Sequence, residues 1–306
     1  MSLSVTFLGT GAAVPSLERN VSALAVHREG ETLLFDCGEG TQRQMMRYGT
    51  SFAFRDVFFT HYHADHVLGI TGLLRTMGLM DRTAPVTLWG PRPAQRTLSA
   101  FVSLGVERMK FPVEIREVAP GERIDRGEYE IAAFKAEHRA ESIGYALVER
   151  DRLGRFDPER ARELGIPEGP LWGRIHRGEA VTLDDGRVVQ ASELVGPRRP
   201  GRTLVYTGDT RPSDATIAAA RGADLVIHEA TFGEEERDRA KETGHSTAAE
   251  AAQVARSAGA LRLALTHISP RYMRDAPELL AEARAVFPET IIARDGLTVD
   301  IPFRNS

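Results

Sequence analysis

One cysteine among 306 residues, Cys37, leaves no partner for an intrachain disulfide and fits a reducing compartment. In Leu33-Leu34-Phe35-Asp36-Cys37-Gly38 it is expected to pack at a strand end rather than to act as a nucleophile. No apolar stretch approaches the roughly 20 residues that a membrane span needs. The opening Met1-Ser2-Leu3-Ser4-Val5-Thr6-Phe7 lacks the basic and long apolar regions of a secretory signal and runs directly into a strand pattern. The expectation is a cytoplasmic protein with no membrane partner. A net charge of −4 excludes a uniformly basic nucleic-acid binder, so any contact with phosphates falls to local basic patches. Internal repeats and low-complexity tracts are absent as well.

What is present is a chain long enough for a large core, with an ordinary hydrophobic content of 42%. Strand patterns recur at 3–8, 22–27, 32–36, 56–60, 86–89, 113–118, 129–135, 143–149, 203–206, 224–228, 261–265 and 290–300. Helical patterns fall near 40–48, 66–80, 93–104, 246–258 and 275–286. This order predicts an α+β protein with two mixed sheets packed together and covered by helices. Residues 150–200 read differently: they are dense in Arg, Asp and Glu, and Leu164 to Gly173 carries too many glycines and prolines for a core element. We expect one core domain built from 1–149 and 201–306, with 150–200 inserted as a projecting arm.

The chemistry concentrates in His61-Tyr62-His63-Ala64-Asp65-His66, directly after the apolar strand pattern that ends at Thr60. Residues two apart in an extended chain face the same way, so His61 and His63 can share one ion. Asp65 and His66 fall at the turn into an amphipathic helix, where they can reach a second. Imidazole with carboxylate favours zinc over magnesium or calcium. Three further candidates end apolar strand patterns: His138, Asp209 (after Gly208, which permits a tight turn) and His267.

This ordered set resembles the metallo-β-lactamase superfamily, and the resemblance implies an αβ/βα four-layer sandwich with metals at the strand ends. It implies that His61, His63 and His138 hold one zinc, that Asp65, His66 and His267 hold the other, and that Asp209 bridges them. Manganese is the substitute considered. Narrower motifs look like those of the ribonuclease Z family, which trims 3′ trailers from precursor tRNA. They are Pro15-Ser16-Leu17-Glu18-Arg19-Asn20, Asp36 to Gln42, His228-Glu229-Ala230-Thr231, Gly244-His245-Ser246-Thr247 and Thr266 to Tyr272. Leu17 stands where that family usually has lysine. The 150–200 insertion is similar to the family's flexible arm, with Gly165 to Gly178 resembling its Gly-Pro motif and Ile175-His176 in place of the usual Leu-Lys.

The resemblance further implies endonucleolytic attack on the phosphorus after the discriminator nucleotide by a water activated between two ions, leaving a 3′-hydroxyl. It makes Asp65 the proton acceptor. His245 becomes the group that protonates the leaving oxygen or holds the phosphate, oriented by Glu229. Thr247 with Glu250 reads as a capping box just beyond His245. Arg19, Asn20, Arg174, Arg177 and Arg271 are the candidate RNA contacts, and a homodimer is implied in which one subunit's arm serves the other's site. The competing readings are a general phosphodiesterase or arylsulfatase of the same superfamily, and a catalytically silent RNA-binding protein.

Overall fold

The computed structural model describes residues 2–106, 109–272 and 275–304. Its strands are Leu3–Gly9 (β1), Ala23–Arg28 (β2), Glu31–Phe35 (β3), Asp56–Phe58 (β4), Val86–Gly90 (β5), Val113–Glu117 (β6), Arg123–Asp125 (β7), Tyr129–Lys135 (β8) and Ile143–Glu149 (β9). After them come Val181–Thr182 (β10), Val188–Val189 (β11), Thr203–Tyr206 (β12), Leu225–Glu229 (β13), Leu263–Thr266 (β14), Thr290–Ile292 (β15) and Thr298–Asp300 (β16). The helices are Thr41–Tyr48 (α1), Ala64–Val67 (α2), Gly69–Leu79 (α3), Ala94–Ser103 (α4), Pro158–Glu163 (α5), Pro170–His176 (α6), Asp214–Ala219 (α7), Arg237–Thr243 (α8), Ala248–Ala258 (α9) and Pro277–Val286 (α10).

Two seven-stranded sheets form, ordered β16-β1-β2-β3-β4-β5-β6 and β15-β14-β13-β12-β9-β8-β7. In each, a parallel run (β3 to β6, β12 to β15) carries most of the site, as parallel strands covered on both faces commonly do. Alternation along the strands decides the layers. Val5, Phe7, Leu24, Val26, Leu33 and Phe35 face Tyr145, Leu147, Leu204, Tyr206 and Ile227 between the sheets. Leu8, Ala23, Ala25 and Leu34 point the other way, onto Met45, Ile70, Leu73, Leu74 and Leu98 of α1, α3 and α4. On the far side, Val205, Val226 and Leu263 pack under the alanine-rich α9 and under α10. The result is the four-layer αβ/βα sandwich that the resemblance implies.

The chain divides into two compact units, 1–148 with 203–302, and 149–202 with 303–306. The second has its own small core of Ala161, Ile166, Ile175, Val181, Val189 and Leu194, with Trp172 packed against it. The reading of this segment as lacking core elements is corrected here: Pro170 sits at the first turn of α6, where its missing N–H costs nothing, and Ile175 on the same helix is buried. The pattern at 290–300 resolves into two strands because Gly296 turns the chain with φ +83°. Helix α2 stops at Leu68, splitting the helix expected at 66–80. Among the described residues no helix is long and apolar enough to cross a membrane.

Candidate metal centre

Seven side chains reach the same end of the sandwich from four places in the chain. His61, His63, Asp65 and His66 come from the β4-to-α3 connection, while His138, Asp209 and His267 follow β8, β12 and β14. Their donor atoms form two groups. His61 Nε2, His63 Nδ1, His138 Nε2 and Asp209 Oδ2 make the first, with separations of 3.0 Å (His61 to His63), 3.3 Å (His138 to His63) and 3.6 Å (His61 to Asp209). Asp65 Oδ2, His66 Nε2 and His267 Nε2 make the second, at 3.2 to 3.6 Å from one another, and Asp209 Oδ1 lies 3.3 Å from each of the two histidines. Four donors held at roughly 2.0–2.1 Å around a tetrahedral ion stand about 3.3 Å apart, so both groups have the spacing a zinc-sized cation needs.

Asp209 is the joint between the groups, presenting one carboxylate oxygen to each. Its Oδ1 is buried and receives no hydrogen bond, a costly state for an anion unless a cation shares it. Burial would favour its neutral form, but His267, His66 and His61 hold it well below the usual carboxylate range. Burial likewise opposes charge on Asp65, and His66 with His267 overcomes it. On His66 burial disfavours the proton, yet Asp209, Asp36 and Asp65 raise its pKa well above the ordinary value. His61, buried and beside His66, is depressed instead. The carboxylates thus draw positive charge to one point.

Local backbone geometry aims these side chains. Gly208 adopts φ +59°, and a Cβ there would come within 2.7 Å of Thr60, so the turn that delivers Asp209 closes only on glycine. Ala13 and His267 occupy the left-handed region at φ 63° and 55°. The Ala13 N–H donates to Asp65 Oδ2 at 2.8 Å. His138 Nδ1 donates to Gly244 O at 2.8 Å, which leaves Nε2 bare toward the site.

Beside the second group, His245 Nδ1 lies 2.9 Å from Glu229 Oε1, and its ring stacks at 5.3 Å on His267. Glu229 is buried and also accepts from Thr210 N, Thr231 N, Thr231 Oγ1 and Ser246 N. Burial alone would strip the His245 proton, but the Glu229 carboxylate raises its pKa to about 9. The box of Thr247 and Glu250 caps α9 immediately after it. An open pocket of about 550 Å³ exposes His63, Asp65, Asp209, His245 and His267, with Arg239 and Arg271 at its wall.

The chain is 63% identical to a protein named ribonuclease Z from Gemmatimonas aurantiaca, over 98% of this chain and 96% of that one. The chain belongs to the ribonuclease Z family. A ribonuclease Z of Myxococcus xanthus is 54% identical over 99% of both chains. The crystal structure of human tRNase Z, short form, superposes with a TM-score of 0.72 at 29% identity, covering 98% of this chain and 100% of that one. Two family models tile the sequence, "Anti-Pycsar protein Apyc1" over residues 3–153 and "Beta-lactamase superfamily domain" over 177–268. As a ribonuclease Z family member the protein is an endoribonuclease that hydrolyses phosphodiester bonds, and its fold is that of the metallo-β-lactamases.

Arg19 and Asn20, two of the expected RNA contacts, are both hydrogen-bonded within the protein. Arg19 is only 5% exposed, and its guanidinium donates to Thr10 Oγ1 at 2.6 Å and to Ala293 O at 2.7 Å. Asn20 donates from its backbone to Asp295 and from Nδ2 to Glu39 O. Both therefore brace the loop that carries Ala13 to Asp65, and Arg19 is withdrawn as a phosphate contact because it is buried. Arg174 and Arg177 lie exposed at α6, and both face Glu179, at 2.8 and 3.6 Å. Arg271 is half-exposed, 3.5 Å from Glu236. Sequence reasoning missed Arg239, whose exposed guanidinium lies over the Phe232 ring, and gave no role to Asp36, Thr60 or Thr231.

Proposed function

We propose that the protein is a two-zinc endoribonuclease that removes the 3′ trailer from precursor tRNA and leaves a 3′-hydroxyl. The observation that carries the reading is the split of Asp209 between two donor groups of zinc spacing beside a pocket that also holds His245. His61, His63 and His138 would hold one ion and Asp65, His66 and His267 the other, with manganese as the substitute the same donors accept. When bound, the pair supplies a water of lowered pKa and offsets charge on the phosphoryl oxygens.

The chain's own residues supply the rest. Asp65, kept ionised by its histidine neighbours and fixed by the Ala13 N–H, accepts the proton of the attacking water. The water oxygen bonds to phosphorus, the bond to the 3′ oxygen of the discriminator nucleotide breaks, and His245 delivers the proton that oxygen needs. Glu229 keeps His245 charged and turned to the pocket. Arg271 at the pocket wall steadies a flanking phosphate. Arg174 and Arg177 on the second unit serve the tRNA body, where phosphate neutralisation gives sequence-independent affinity.

In this reading the enzyme works in the cytoplasm as a homodimer. The test is cleavage of a labelled precursor tRNA and of bis(p-nitrophenyl) phosphate by the zinc-loaded protein, with and without residues 150–200. A single cut after the discriminator base that is lost without the arm, while the small ester is still hydrolysed, supports the reading. Hydrolysis of the small ester alone by the full chain returns it to a general phosphodiesterase.

A further inference from the structure

We propose that Asp36 is a positioning residue that fixes one histidine in each donor group, His66 directly and His61 through Thr60, and so couples the two ion sites. This deepens the two-ion reading and rests on it.

The argument starts from which atoms hold protons. Asp36 is fully buried at the end of β3, at φ 55°, a conformation that non-glycine residues seldom keep without a reason. Its carboxylate accepts from Thr60 N at 2.8 Å, from Thr60 Oγ1 at 3.0 and 3.1 Å, from His66 Nδ1 at 2.8 Å and from Tyr206 Oη at 2.8 Å. A carboxylate in such company only accepts, so the Thr60 hydroxyl hydrogen is committed to it. The contact of 3.0 Å between Thr60 Oγ1 and His61 Nδ1 therefore has the imidazole as donor. Both rings then carry their proton on Nδ1 and turn a bare Nε2 inward, His61 to the first group and His66 to the second.

A second carboxylate repeats the pattern with a different reach. Glu229 accepts from the Thr231 hydroxyl at 2.7 Å, and Thr231 Oγ1 lies 2.9 Å from His267 Nδ1. Glu229 thereby serves the second group alone, whereas Asp36 serves both. The neutral isostere makes the difference visible. In Asp36→Asn the amide nitrogen must replace either the oxygen facing His66 Nδ1–H or the one facing Thr60 N–H. The first choice drives His66 to the other tautomer, with a proton pointing into the ion site. The second sets two donors against each other in a buried place.

Competitive zinc titration of the full-length protein tests this, together with long-range nitrogen NMR of the imidazoles, which reads the tautomer without reference to activity. Wild type is expected to bind two ions with His61 and His66 protonated on Nδ1. Asp36→Asn weakens both sites by about ten- to hundredfold. Thr60→Val weakens one ion only and disturbs His61, and Thr231→Val weakens the other and disturbs His267. A folded Asp36→Asn protein with two wild-type affinities and unchanged tautomers overturns the proposal, as does Thr60→Val with no effect on either ion. If Asp36→Asn does not fold, the Thr60 and Thr231 variants decide. Wild type that binds no zinc would instead sink the two-ion reading itself.

Discussion

Replacing Glu229 by glutamine tests the acid in the mechanism through its partner. The Glu229 carboxylate takes five hydrogen bonds, from His245 Nδ1, Thr210 N, Thr231 N, Thr231 Oγ1 and Ser246 N. Glutamine keeps the shape but puts an NH₂ against at least one of these donors, which costs about 1–3 kcal/mol for the group left unpaired. On a domain of this size that is a loss of roughly 2–10 °C in melting temperature. The larger effect is electrostatic. His245 is raised to about 9 from 6.5 chiefly by this carboxylate acting against burial, so it is charged through neutral pH and loses its proton only as pH rises through the folded value. Without the charge on residue 229 the value falls toward 6.5, and the protonated fraction at pH 8 drops roughly thirtyfold. Single-turnover cleavage from pH 5.5 to 9.5 should show the alkaline limb moved toward acid by more than one pH unit, with the rate recovering near pH 6. Coincident limbs for the two proteins would refute the idea that Glu229 governs a proton on His245.

Asp65→Ala should lower single-turnover cleavage by at least about 10²-fold even at saturating zinc, since it removes proton acceptor and ligand together; turnover with two ions bound would remove the acceptor role. His138→Ala should cost one zinc per chain by mass spectrometry under native conditions, because its Nε2 belongs to the first donor group alone. Gly208→Ala should lower the melting temperature and the metal content together, because the new Cβ meets Thr60 at 2.7 Å and φ is +59°. Arg271→Ala should raise KM for precursor several-fold and leave kcat nearly unchanged, the pattern of lost ground-state binding.

The clustering of His61, His63, Asp65 and His66 was legible because its logic is local: two histidines two residues apart on an extended segment, then a turn into a helix. His138, Asp209 and His267 were legible because each ends an apolar strand. Asp36 was not, since its part depends on a left-handed turn and on contacts with Thr60, His66 and Tyr206 that lie 24 to 170 residues away. Arg19 was misread for the converse reason: a basic residue in a motif looks like a phosphate contact until its burial is known. The two packed sheets followed from the order of strand and helix patterns, and the four-layer sandwich from the family resemblance. Strand β7 escaped notice because it is three residues long and largely exposed, and α6 because Pro170 reads as a breaker until its place at the first turn is seen. Helices α7 and α8 are short and lack a sustained apolar stripe.

The most direct measurement maps the cut in a precursor tRNA by the chelated protein as zinc is returned in known amounts. The account predicts no cleavage without metal and full cleavage at two equivalents per chain, with one break after the discriminator nucleotide and a 3′-hydroxyl on the tRNA. Cleavage by the metal-free protein, saturation at one equivalent, or a product ending in a 3′-phosphate would contradict it.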